Sequence, residues 1–226
     1  MTNKLILLGL FVTAMLIMSF RTEKKKKVIF FGDSITSAAV NPGGYIRLID
    51  TIIQKAGLSN QYDLVGAGVS GNKVYDLYLR MEEDVLQKNP DIVLIYIGVN
   101  DVWHKAGSGT GTDYDKFGKF YEAIVKKIQA KGAKVILCTP AAIGERTDHT
   151  NQQDGDLNMY CKWIRSFAAS KQLQLVDLRA GLLNYNLQHN PENKEKGILT
   201  SDRVHLNPAG QQFVADAMWE EIKAVK

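Results

Sequence analysis

Cysteine is scarce in this chain. The two present, Cys138 and Cys161, are too few and too far apart for a disulfide framework or a thiolate zinc site, and both read as buried thiols. Excess charge is also missing. The net charge is +4, but four of the positives form the run Lys24 to Lys27, so the rest of the chain is near neutral. Lysine and arginine make no stripe along a helix or face, which excludes nucleic acid as a partner. His104, His149 and His189 lack metal-ligand spacing, read as solvated residues in loops, and imply no metal. The glycine-rich loop that a phosphate or nucleotide binder places at its first helix is absent, because the residues there are Ser34 to Val40. Gly107 to Gly111 likewise fails the dinucleotide pattern and reads as a flexible loop.

Long apolar runs are rare too, with one exception. Lys4 is followed by an uncharged stretch from Leu5 to Phe20, then by Arg21 and the lysine run. Its 16 residues fall short of the roughly 20 needed to span a bilayer and approach the upper length of a signal-peptide core. Residues 1–26 are therefore expected to be a signal peptide, cleaved after Ser19, or an uncleaved anchor, followed by a basic linker. The absence of an Ala-x-Ala site and the positive charge after the run weigh against cleavage and leave the anchor open as the alternative. Either way the protein is expected to be exported, periplasmic or extracellular, and to meet a membrane only through this segment. Residues 27–226 form the second unit. Its length, in a chain 45% hydrophobic, suits one α/β domain with a full core and no repeats.

Short apolar runs alternate with amphipathic stretches from Lys27 onward, the pattern of βαβ units and a parallel sheet covered on both faces. Five strands are predicted: Val28 to Phe31, Tyr62 to Val65, Ile92 to Ile97, Lys134 to Cys138 and Leu173 to Val176. Helices fill the gaps between them. Tyr45, Leu48, Ile49, Ile52 and Ile53 recur at helical spacing, as do Phe117, Phe120, Tyr121, Ile124, Val125 and Ile128. The last helix starts at Asn207 as N-cap with Pro208 at its first position.

Ligands of an open parallel sheet bind at the carboxyl ends of the strands, so functional residues should follow strands directly. Three segments do: Gly32-Asp33-Ser34, Gly68 to Asn72, and Gly98-Val99-Asn100-Asp101. A fourth, Asp202-Arg203-Val204-His205, precedes the last helix. Serine at a strand-to-helix turn projects its Oγ, but it is a weak nucleophile until a base takes its proton. His205 is the candidate base and Asp202, three residues earlier, the carboxylate that orients it. Negative charge on a tetrahedral intermediate would meet the Ser34 N–H, the Gly71 N–H and the Asn100 amide, with glycine at 71 allowing close approach of the backbone. Asp33 is read as structural, tying down its loop, and Asp101 stays open between the two roles. Ser70 is excluded as nucleophile, since Asn72 stands where the nucleophile elbow requires glycine. Trp103 and His104 follow Asn100 closely and could line the pocket or simply pack.

At these residues the chain resembles the SGNH hydrolases, or GDSL esterases and lipases, whose four sequence blocks supply serine, glycine, asparagine and histidine. Phe31-Gly32-Asp33-Ser34-Ile35-Thr36 is similar to the first block, with Ile35 where the family name has leucine. Gly71, Asn100 and the segment Asp202 to Asn207 match the other three, in order. The resemblance implies a flavodoxin-like α/β/α sandwich of strand order 2-1-3-4-5. It also implies metal-free ester hydrolysis through an acyl-serine, with no organic cofactor.

An apolar lid over the strand ends, of the kind a long-chain lipase uses, is absent. Gly144 to Asp156 and Gln188 to Lys196 are polar loops. They favour a short acyl group such as acetyl on a polar or carbohydrate alcohol. A lysophospholipase or thioesterase, an acyltransferase using the same acyl-enzyme, and a non-catalytic carbohydrate-binding domain are the alternatives.

Overall fold

Central strands of a parallel sheet are covered on both faces, which is why their sequences are continuous apolar runs. Val28 to Gly32 and Ile92 to Tyr96 are wholly buried. The structure, a computed structural model, describes residues 24–225. The apolar stretch Leu5 to Phe20, with the signal or anchor reading attached to it, lies outside the described residues. The strands are β1 (Lys26–Gly32), β2 (Tyr62–Gly68), β3 (Ile92–Tyr96), β4 (Lys134–Cys138) and β5 (Gln174–Val176). All pairings are parallel and the order is β2-β1-β3-β4-β5. Edge position explains the two boundary differences of note: β2 is only partly buried and runs on to Gly68, while β5 shrinks to three residues. β1 reaches back to Lys26, one residue before the expected start of the domain.

The helices are α1 (Ser34–Ala38), α2 (Tyr45–Lys55), α3 (Val74–Asp84), α4 (Val99–Ser108), α5 (Tyr114–Ala130), α6 (Asp154–Lys171), α7 (Leu178–His189) and α8 (Pro208–Lys223). Parallel crossovers are right-handed, so reversing the direction of strand addition after β2 sends α2 and the later crossover helices to opposite faces. Accordingly α2 packs on α8 and α3 on α5. Of the predicted stripes, Tyr45, Ile49 and Ile53 in α2 and Phe117, Tyr121, Ile124, Val125 and Ile128 in α5 are buried. Leu48, Ile52 and Phe120 lie partly buried at the stripe edges, and Ile46 joins the buried face of α2. Asn207 caps α8 by accepting from the Gly210 N–H, with Pro208 in the first turn.

Three loop readings are corrected. His104 lies in α4 and His189 in α7, and α4 extends through Gly107 to Ser108. The glycines of that stretch suggested a flexible loop, but Gly109, at φ +68°, forms the left-handed C-cap of a helix that has already started at the β3 end. The polar segments from Gly144 and Gln188 similarly overlap the first residues of α6 and the last of α7. Both thiols are buried. Burial pushes the Cys161 thiol up to about 12 and raises that of Cys138 as well. Among the described residues no helix is long and apolar enough to cross a membrane.

Candidate active site

Strand order reverses beside β1, which lies between β2 and β3, so the loops leaving β1, β2 and β3 converge there. Ser34 is the first residue of α1, and Asp33 is its N-cap: the buried Asp33 carboxylate accepts the Ile35 N–H at 3.0 Å. This short cap turns Ser34 outward at the end of the sheet. Ser34 Oγ lies 2.9 Å from His205 Nε2. His205 Nδ1 lies 2.7 Å from Asp202 Oδ2. An ionised carboxylate only accepts, so Nδ1 carries the proton and Nε2 is left to accept from the Ser34 hydroxyl. The other Asp202 oxygen accepts the Val204 N–H at 3.0 Å and the His205 N–H at 2.7 Å. Desolvation works against the Asp202 charge, but the bonds from His205 and Val204 outweigh it and hold the carboxyl below its ordinary range.

The loop carrying Asp202 and His205 is held by a residue that the sequence did not single out. Glu145, 1% exposed, accepts three consecutive backbone N–H groups: Ile198 at 2.8 Å, Leu199 at 2.6 Å and Thr200 at 2.8 Å. A buried carboxylate is tolerated when such donors replace its water. Arg203, between Asp202 and His205, has a left-handed φ of +91°, a conformation that costs a non-glycine residue on the order of 1–3 kcal/mol. It is offset by a bond from its N–H to Thr200 Oγ1 at 3.2 Å, one from the Gly144 N–H to its carbonyl at 2.9 Å, and an ion pair with Glu195 at 2.7 Å.

Opposite the serine, Gly71 has φ +78°. Crowding is not the reason for glycine here, because a Cβ would meet only His104 Cε1, at 4.0 Å. The left-handed backbone is what requires glycine here. Asn100, in the first turn of α4 and 2% exposed, donates one amide hydrogen to the Asn72 carbonyl at 3.1 Å, leaving its second hydrogen for a ligand. Among the described residues neither the Ser34 nor the Gly71 N–H meets a protein acceptor. A serine hydroxyl bonded to an oriented imidazole, with free N–H and amide donors on the neighbouring loops, is a set of groups able to carry an acyl group through a tetrahedral oxyanion.

The remaining candidates separate clearly. Asp101, fully buried, accepts the Val74 N–H at 3.1 Å, and so fixes the start of α3. Ser70 is exposed in its turn, and the imidazole bonds Ser34 instead. Trp103 sets its ring edge-on to His205 with centroids 6.3 Å apart, forming a wall of the site, and His104 lies against Trp103. Desolvation, with Lys73 adding to it, lowers His104 below the usual histidine range.

Comparison with known proteins agrees with this geometry. Residues 30–213 match the GDSL-like lipase/acylhydrolase family. An acetylxylan esterase of Geobacillus stearothermophilus is 30% identical over 217 residues, covering 87% of this chain and 94% of its own length. The crystal structure of an acetyl xylan esterase, AlAXEase, superposes with a TM-score of 0.86 at 60% identity, over 88% of this chain and 100% of that one. Structures of Axe2, from G. stearothermophilus, superpose at 0.76 with 26–27% identity over 87–89% of this chain and 94–95% of theirs. Three of these are catalytic mutants in which a serine, an aspartate or a histidine is replaced by alanine.

Proposed function

Because the chain belongs to the GDSL-like lipase/acylhydrolase family and is a carboxylic ester hydrolase, we propose that Ser34, His205 and Asp202 remove acetyl groups from a carbohydrate. The observation that carries this reading is the unbroken series Ser34 Oγ, His205 Nε2, His205 Nδ1, Asp202 Oδ2, with contacts of 2.9 and 2.7 Å. Ser34 Oγ bonds to the acyl carbon while His205 takes its proton. The oxyanion is met by the Ser34 and Gly71 N–H groups and the Asn100 amide. When the intermediate collapses, the bond from the acyl carbon to the sugar oxygen breaks and His205 protonates that oxygen, releasing the sugar hydroxyl. Water then adds to the acyl-serine, giving its proton to His205, and acetate departs as Ser34 recovers its proton.

Two features support a short acyl group on a polar alcohol. The relatives named above are acetyl xylan esterases. Alongside the Asp202–His205 loop, a polar cleft lined by Arg146, Thr150, Gln152, Gln153, Glu195 and Arg203 offers hydrogen-bonding groups that suit sugar hydroxyls rather than acyl chains. Export belongs to the same proposal, since a polymeric glycan is met outside the cell; fractionation of cells expressing the whole chain tests it.

The chemistry is tested with p-nitrophenyl acetate, butyrate and octanoate and with an acetylated xylo-oligosaccharide, using the wild type beside Ser34→Ala. Serine-dependent release that peaks at acetate, with acetate freed from the saccharide, is the expected result. A peak at octanoate transfers the protein to lipid substrates, and serine-independent release removes Ser34 from its role.

A further inference from the structure

Arg80, in α3, contacts none of the reacting groups itself, yet its guanidinium joins the end of β1, beside Ser34, to β2 and the loop that carries Gly71. Nε donates to Asn72 Oδ1 at 2.6 Å. Nη2 donates to the carbonyls of Gly32 at 2.7 Å and Ala67 at 3.0 Å, at the ends of β1 and β2. Nη1 pairs with Asp84 at 2.6 Å, and the group lies 4.6 Å over the Phe31 ring. The side chain is 18% exposed, so these bonds are made largely out of water and are correspondingly strong.

Asn72 is the hinge of the arrangement. Its side chain is gripped by Arg80, while its backbone carbonyl accepts the hydrogen that orients the Asn100 amide. We propose that Arg80 is a positioning residue, which acts through Asn72 to aim the free hydrogen of the Asn100 amide at the oxyanion. Lysine cannot replace it, because a single ammonium lacks the planar fork that reaches Asn72, Gly32 and Ala67 together. The inference rests on the oxyanion role of Asn100 proposed above.

Turnover of p-nitrophenyl acetate by Arg80→Gln, Asn72→Ala, Asn100→Ala and the two double variants containing Asn100→Ala tests it. Asn100→Ala is expected to lower kcat by about 10²- to 10³-fold, as removal of one oxyanion donor does. Arg80→Gln and Asn72→Ala should each lower kcat by roughly 10-fold or more with little change in KM. On the Asn100→Ala background each should cost less than about threefold, because the group they aim is gone. A merely structural arginine would cost the same on both backgrounds, and that result overturns the proposal. So does an unchanged kcat in folded Arg80→Gln. If Arg80→Gln does not fold, Asn72→Ala carries the same comparison. An unchanged kcat in Asn100→Ala alone would instead overturn the oxyanion assignment.

Discussion

The Asp33 carboxyl is 1% exposed, and burial, helped by the nearby Asp101 charge, pushes it up to about 7 from 3.8 despite the bond from the Ile35 N–H. Between those two values the folded protein binds a proton that the unfolded chain has released. Stability should therefore fall as pH rises from about 4 to 7 and level off above. Asp101, pushed by burial up to about 6, adds to the same trend. Asp33→Asn keeps an oxygen for the Ile35 N–H but has nothing to ionise. Its melting temperature should drop less than that of the wild type between pH 5 and 8, by the equivalent of on the order of 1–4 kcal/mol. Parallel curves for the two proteins would show that Asp33 does not titrate in this range. At this scale the sequence was legible where chemistry announces itself: Ser34, His205 and Asp202 form one hydrogen-bonded series, and Asn100 is tied to the loop that holds Gly71. Glu145 and Arg80 were not legible. A carboxylate that holds N–H groups more than 50 residues away, or an arginine that ties the end of β1 to the loop after β2, has no local pattern, and each gains its role only when the fold supplies its partners.

Among the elements, α1 has least margin. Its five residues sit against β2, and Gly68 lies so close that a Cβ would collide with Ser37 N and Thr36 C, both backbone atoms that cannot rotate away. Gly68→Ala must push α1, and with it Ser34, off the imidazole. A loss of about 1–3 kcal/mol of stability is expected from the overpacking. Turnover should fall at least about 10-fold, since nucleophile and base must stay within hydrogen-bond reach. Thermal melts and assays of the purified variant measure both, and wild-type turnover would refute the argument. The central strands were readable as continuous apolar runs, because both their faces are buried, and the helices α2, α5 and α8 because burial of one face imposes a period on their apolar residues. The helix α4 was not, because Asn100 and Asp101 are buried for hydrogen bonding and its last turns carry glycine, which blurs the apolar stripe.

In the whole molecule, nucleophile and base are 171 residues apart. They meet because α8 docks on α2, where Gln211 Oε1 accepts the Tyr45 N–H at 2.9 Å and the Tyr45 hydroxyl donates to Thr36 at 2.9 Å, two residues beyond Ser34. Activity should then vanish in urea together with tertiary structure, in one transition. Activity persisting after the near-UV circular dichroism is lost would show that the site survives without the domain.

The same separation sets a timetable during synthesis. When a ribosome has translated as far as Val204, the serine and the three donors proposed for the oxyanion already exist, but the base does not. The hydroxyl of a nascent or prematurely terminated chain is then an ordinary alcohol. The enzyme is armed only once His205 has been added, 171 residues after the serine it activates.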